Sequence, residues 1–273
     1  MNPFTSFVKR YPQATFWIIA WSTFLIGNLL GGLWFLLIYG SFLGGLLVTA
    51  IADGRSGVKT YFSRIVRWRV GIQWYAVALL TPAVLYLVAA GLNVLAGAQI
   101  AASIQWPAWS TLLIGFFWPA LLGIGLAEEP GFRGFALPRL LVGRPAIVAA
   151  LILGVLHAIW HIPTFFGGQL IPIVCTILII ISGAVLNTWM FNHTNGSVLL
   201  AMLLHVGIDM ASGDIGILKN LFTGADLERQ IIFQAVAFVV MAILLRVFAG
   251  RELGRKAEAG MDTLPAEQPA MAR

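Results

Sequence analysis

Residues 171–191, IPIVCTILIIISGAVLNTWMF, run for 21 positions without a single charged side chain. A helix needs about 17 to 25 predominantly apolar residues to cross a bilayer, and this stretch meets that length. A transmembrane β-strand would need about ten residues of alternating apolar and polar character, whereas the run is unbroken and rich in Ile and Leu. Working outward, comparable runs lie at about 15–30, 36–52, 73–95, 108–127, 146–166, 197–212 and 231–248. The pattern predicts an all-α, polytopic transmembrane helical bundle of about eight helices, with a single domain over residues 12–250. From Arg251 to Arg273 the chain has no apolar periodicity and carries Pro265 and Pro269, which predicts a disordered tail.

The composition agrees. Of 273 residues, 59% are hydrophobic and 10% charged, and the mean hydropathy is +0.89, whereas a soluble domain carries roughly 25% charge. The net charge of +6 is distributed as topology rather than as a nucleic-acid footprint, because no basic patch is interleaved with stacking aromatics. Lys9, Arg10, Arg55, Lys59, Arg64, Arg67, Arg69, Arg139, Arg144, Arg251, Arg255 and Lys256 fall on one side of an eight-crossing arrangement. The opposite connections, 96–107 and 162–171, carry no Lys or Arg, and 213–230 carries only Lys219 and Arg229. The positive-inside rule then predicts cytoplasmic termini in a multi-pass protein of the plasma membrane. Membrane lipids are its surroundings, and no removed signal peptide is expected. The single Cys175 allows no intrachain disulfide or CxxC pair.

Ionisable residues inside apolar runs are costly and functional by default. Three groups stand out: Glu128, Glu129 and Arg133 in AEEPGFRGF, His157 and His161 in GVLHAIWHIP, and His205 and Asp209 in LLHVGIDM. On a helix Glu129 and Arg133 share a face while Glu128 points about 100° away, so one carboxylate can be neutralised while the other faces a cavity. Pro130 and Gly131 loosen the helix there. From the expected turn at Gly143, Arg144 and Pro145, Glu128 lies 16 residues back and His161 17 residues forward. At 1.5 Å per residue the two reach nearly the same depth on antiparallel helices. His157 shares a face with His161 and can form a metal pair with it. His205 and Asp209 also lie four apart, where a carboxylate can orient the imidazole. Together these groups form a buried polar cavity with the inventory to activate water. The sequence has no GxSxG, HExxH, P-loop or GxGxxG motif, which disfavours serine, zincin and nucleotide chemistry.

At these residues the chain resembles the CPBP intramembrane protease family, which includes CAAX prenyl endopeptidases of the Rce1 type and bacterial Abi and bacteriocin-immunity proteins. Glu128, Glu129 and Arg133 match EExxxR, continued by Gly134, Phe135, Ala136, Leu137, Pro138 and Arg139. Trp160, His161 and Pro163 match the second motif, in which His157 replaces an aromatic residue, and His205 and Asp209 match HxxxN or HxxxD. The motif core covers residues 117–210. The resemblance implies a bacterial intramembrane endopeptidase whose cavity opens to the cytosol and whose substrates are membrane-anchored proteins or peptides, prenylated CAAX-like ones included. It implies Glu128 as the base that activates water, aided by His161. His205 and Asp209 would stabilise the oxyanion, with Glu129 and Arg133 in support. The ligands for a Zn2+ ion, where one takes part, would be Glu128, His161, His205 and Asp209. Asp209 departs from the commoner asparagine and adds a charge that favours a metal or a proton. The alternatives are a catalytically silent binding or immunity protein and a proton-coupled transporter, the latter disfavoured by the lack of repeated halves with paired broken helices.

Overall fold

A computed structural model describes residues 2–31, 38–102, 104, 107–212 and 221–255. Among these residues there are ten helices and no strand: α1 Pro3–Arg10, α2 Pro12–Leu29, α3 Gly40–Ala52, α4 Gly54–Ile65, α5 Ile72–Leu95, α6 Trp109–Leu140, α7 Ala146–Trp160, α8 Leu170–His193, α9 Val198–Ser212 and α10 Gly224–Phe248. A short 3-10 turn, Ile162–Phe165, follows α7. The all-α membrane bundle is as expected, but ten helices replace the expected eight or so. The two additions, α1 and α4, lie in the polar segments before and between apolar runs, where hydropathy alone marks no crossing. Both are amphipathic; α1 buries Val8 and leaves Lys9 and Arg10 exposed. The expected disordered tail falls, from residue 256 onward, outside the described residues.

Four helices, α5, α6, α8 and α10, are long and apolar enough to cross a membrane on their own. At 1.5 Å per residue, the 24 residues of α5 extend about 36 Å, against a hydrocarbon core of about 30 Å. This is a multi-pass membrane protein. The polar contacts at the helix ends fix the direction of each leg. At one end Arg139 at the foot of α6 pairs with Asp53 after α3. There too Ser197 Oγ, before α9, donates to the Arg67 carbonyl at 2.7 Å, and the Ile147 amide at the start of α7 donates to the Arg251 carbonyl after α10 at 3.0 Å. At the other end Asn93 of α5 donates to the Asp226 carbonyl of α10 at 2.8 Å. Helices α2, α5, α7 and α9 therefore run away from the Arg-rich end, and α3, α6, α8 and α10 run back to it.

Helix α6 is the unusual element. The apolar run ends at Ala127, yet the helix continues through both glutamates to Leu140, because its later turns are enclosed by protein rather than lipid. It winds wide, as a π-helix, over Phe116–Gly125 and again over Pro130–Ala136. Pro130 removes an N–H from the ladder, and Ser41 Oγ of α3 donates to the Ala127 carbonyl at 2.6 Å, satisfying backbone in this turn. Such insertions in a helix are frequent at functional sites.

The approach of α3 to this turn requires glycine. A Cβ on Gly131 would lie 2.4 Å from the Ser41 carbonyl oxygen and 2.6 Å from its carbon, so the backbones touch, as small residues permit in membrane helices. Gly131→Ala should cost about 1–3 kcal/mol through forced separation of α3 and α6. By contrast Gly91→Ala, with no atom of the described residues within 4 Å of the new methyl, should be neutral or slightly stabilising. Unfolding of the two variants in detergent, side by side, checks this.

Candidate active site

The wide turns of α6 place its three polar side chains in the protein interior, where α7 and α9 pack. Glu128, Glu129 and Arg133 are 4%, 0% and 3% exposed. Glu129 Oε1 accepts from Arg133 Nη1 at 2.8 Å, four residues on along the same helix, so the expected pairing is present. The same Oε1 also faces His205 Nδ1 of α9 at 2.8 Å. An ionised carboxylate only accepts, so His205 carries its proton on Nδ1 toward Glu129. Its other nitrogen, Nε2, lies 3.9 Å from Asp209 Oδ2 one turn along α9. Glu129 is thus committed to an Arg–Glu–His chain that ties α6 to α9, while its Oε2 has no hydrogen-bond partner among the described residues.

Glu128 points elsewhere, as the 100° offset requires. Its Oε2 lies 3.2 Å from His157 Nε2 of α7. His161 joins them: one donor atom from each of Glu128, His157 and His161 lies within 4.8 Å of the others. The hairpin therefore does bring Glu128 and His161 into one group, though not to one depth. The equal-depth count misses that the direct contact is with His157. The reason is the π-winding of residues 130–136, which packs more residues into each turn and shortens the climb from the hairpin. This brings Glu128 level with His157, one turn nearer the hairpin than His161. The signal was in the sequence, since His157 shares a face with His161 and Pro130-Gly131 marks a distorted turn. Of the four expected metal ligands, Glu128 and His161 belong to this three-residue group, while His205 and Asp209 form the neighbouring chain through Glu129. The two groups are adjacent, with the rings of His157 and His205 6.4 Å apart.

An aromatic shell holds the imidazoles. Phe132 packs on His157 with ring centres 4.4 Å apart, and Trp160 stacks on Phe24 of α2 at 3.7 Å. Trp160 Nε1 donates to the Ala20 carbonyl at 3.0 Å, anchoring the end of α7 to α2 just where His161 follows. His157 Nδ1 is buried with no partner among the described residues, which an imidazole in so apolar a shell tolerates only at a cost. Chemically, the site holds a carboxylate beside two imidazoles, next to a second carboxylate already neutralised.

The Glu129–Arg133 pair carries a specific liability. Arg133→Met should destabilise the protein by about 3–5 kcal/mol, because Glu129 is left as an under-compensated buried charge. Adding Glu129→Gln should recover part of that loss. A double-mutant cycle on unfolding free energy measures the coupling.

Residues 105–211 match the family model described as type II CAAX prenyl endopeptidase Rce1-like. The matched segment contains Glu128, Glu129, Arg133, His157, His161, His205 and Asp209. No curated protein matches the chain.

Proposed function

On the premise of the Rce1-like match, we propose that the protein is a CAAX-type intramembrane endopeptidase that hydrolyses peptide bonds of membrane-associated substrates with a water activated at Glu128. The observation that carries this reading is the division of labour between the two buried carboxylates. Glu129 is neutralised by Arg133 and His205, whereas among the described residues the Glu128 carboxylate hydrogen-bonds with the imidazole of His157. A carboxylate in that position can take a proton from water.

In the reaction, Glu128 removes a proton from a water held between it and the imidazoles, and the water oxygen bonds to the scissile carbonyl carbon. The carbonyl oxygen becomes an oxyanion, which the doubly protonated His205 stabilises by donating Nε2–H while Nδ1–H stays fixed on Glu129. Collapse breaks the C–N bond, and the proton taken by Glu128 passes to the departing amine. Asp209 orients and charges His205 from the next turn. His161, half-exposed beside Glu128, shares the water.

The residues also fit a zinc ion. Glu128, His157 and His161 supply one carboxylate and two imidazole donors, a set found in catalytic zinc sites, and the orphaned buried His157 accords with an imidazole built for more than packing. Zinc held by these three would supply a water acidified to near neutrality. The chain's own residues would then hold the ion and leave proton handling to His205.

Purified protein in lipid, assayed on a library of membrane-embedded peptides, tests the reading. Glu128→Gln should lower cleavage by about 10²–10⁴-fold while unfolding as wild type does; cleavage at the wild-type rate would refute the role of Glu128. A chelator arm with metal analysis separates the two forms. One zinc per chain, lost together with activity in His157→Phe, marks the metal form, and chelator-resistant cleavage marks the glutamate form. Asp209→Asn removes the charge 3.9 Å from His205 Nε2 and should lower cleavage, by less than Glu128→Gln does.

A further inference from the structure

Helix α4, at the Arg-rich end, has two unlike faces. Arg55, Lys59, Phe62 and Val66 recur at helical spacing, so they form one stripe along the helix and its C-terminal cap, and all of them are exposed. Gly57, Tyr61 and Arg64 repeat that spacing on the opposite side, where Tyr61 and Arg64 are buried. The outer stripe is graded. It begins with two cations and ends with Phe62 and Val66, which are 41% and 66% exposed. Trp68 follows, also exposed, with the Arg69 guanidinium 5.1 Å over its ring.

The inner face is fastened to α6 at both ends of α4. Asp53, immediately before the helix, pairs with Arg139, and Arg64, near its end, donates to the Gly134 carbonyl at 3.2 Å. Pro138, four residues beyond Gly134, has no N–H to offer that carbonyl. Between the two fastenings Tyr61 donates to the Phe42 carbonyl of α3 at 2.9 Å, and its ring lies so close to Gly134 that an added Cβ would come within 3.4 Å of it. Gly134 belongs to the second wide turn of α6, the turn that sets the level of Glu128 against His157.

No carboxylate on the first five helices answers the outer cations. Between Met1 and Ala127 the only acidic residue is Asp53, and Arg139 takes it. The order along the stripe, cations and then apolar and aromatic groups, is the order met on passing from the headgroups of a bilayer into its acyl region. A stripe of cations by itself expresses topology. Here its opposite face grips the helix that carries Glu128, so a ligand on one face acts on the other.

We propose that α4 is a lipid-sensing helix: anionic phospholipid headgroups bind at Arg55 and Lys59, and the contact holds α4 on the second wide turn of α6, keeping Glu128 level with His157. The Arg55 fork and the Lys59 ammonium meet the phosphate, and the acyl chains lie against Phe62, Val66 and Trp68. Continuity of the cations with that apolar stripe selects the bilayer surface over a soluble anion. The effect on cleavage rests on the proteolytic reading; the lipid site and its coupling to α6 do not.

Full-length protein in detergent, titrated with short-chain phosphatidylglycerol, short-chain phosphatidylcholine and glycerol phosphate, tests the site. The anionic lipid should bind at least tenfold tighter than the zwitterionic one. Arg55→Gln/Lys59→Gln, which alters only exposed side chains, should lose about fivefold of that affinity for each cation removed. Equal affinity for the two lipids, an unchanged affinity in the double variant, or glycerol phosphate binding as tightly as the anionic lipid overturns the site. Amide hydrogen exchange of residues 130–141 in nanodiscs tests the coupling. Adding phosphatidylglycerol to phosphatidylcholine should slow it at least threefold in the wild type. It should leave exchange unchanged in Arg55→Gln/Lys59→Gln and in Arg64→Gln, which still binds the lipid. Exchange indifferent to lipid in the wild type, or slowed as much in Arg64→Gln, overturns the coupling. Cleavage by the wild type should rise with the same lipid and stay flat in both variants, and a wild-type rate indifferent to the lipid overturns the effect on the site. A protein that meets both lipid expectations yet cleaves nothing counts against proteolysis and leaves the lipid site standing.

Discussion

Two adjacent carboxylates inside a membrane bundle set the terms for the rest of the structure. An ionised group taken from water into such an interior costs several kcal/mol even after relaxation, so each must be met by a partner from another turn or another helix. Glu129 recruits Arg133 one turn on and His205 from α9. Glu128 recruits His157 from α7. These demands fix the register of three helices against one another, and a shift of one residue along any of them would strand a buried charge.

The backbone follows from the same constraint. Pro130 and Gly131 open the α6 helix immediately after the carboxylates, and Gly131 lets the Ser41 backbone of α3 approach to contact. Ser41 answers the Ala127 carbonyl, and Arg64 of α4 answers that of Gly134 at 3.2 Å. Freed backbone at membrane depth is tolerated because protein, not lipid, surrounds it. The irregularity that frees the backbone is also what brings Glu128 level with His157.

Much of this is legible in the sequence, and what is not has definite physical causes. Hydropathy finds eight apolar runs because lipid selects for them, but it ends the fourth run at Ala127. The continuation to Leu140 is packed against α3 and α4, so its polar residues are excused by neighbours that a linear scan cannot see. The same scan passes over α1 and α4, whose stability comes from an amphipathic face at the bundle end. Helical spacing correctly pairs Glu129 with Arg133 and His205 with Asp209, since those contacts lie within one helix. Contacts between helices depend on rise, and an ideal 1.5 Å per residue fails across a π-turn; hence the prominence of His157, which spacing alone places beside His161 but not against Glu128.

The central claim is that Glu128 acts on water and not on the substrate directly. A single turnover with enzyme in excess over a cleavable membrane peptide, run in 18O-water, tests it by mass spectrometry of both product and enzyme. The account predicts one 18O in the new C-terminal carboxylate of the product and none in the enzyme peptide containing Glu128. Label appearing in the Glu128 carboxylate would mean that it attacks the carbonyl to form an anhydride that water then opens, and would contradict the account.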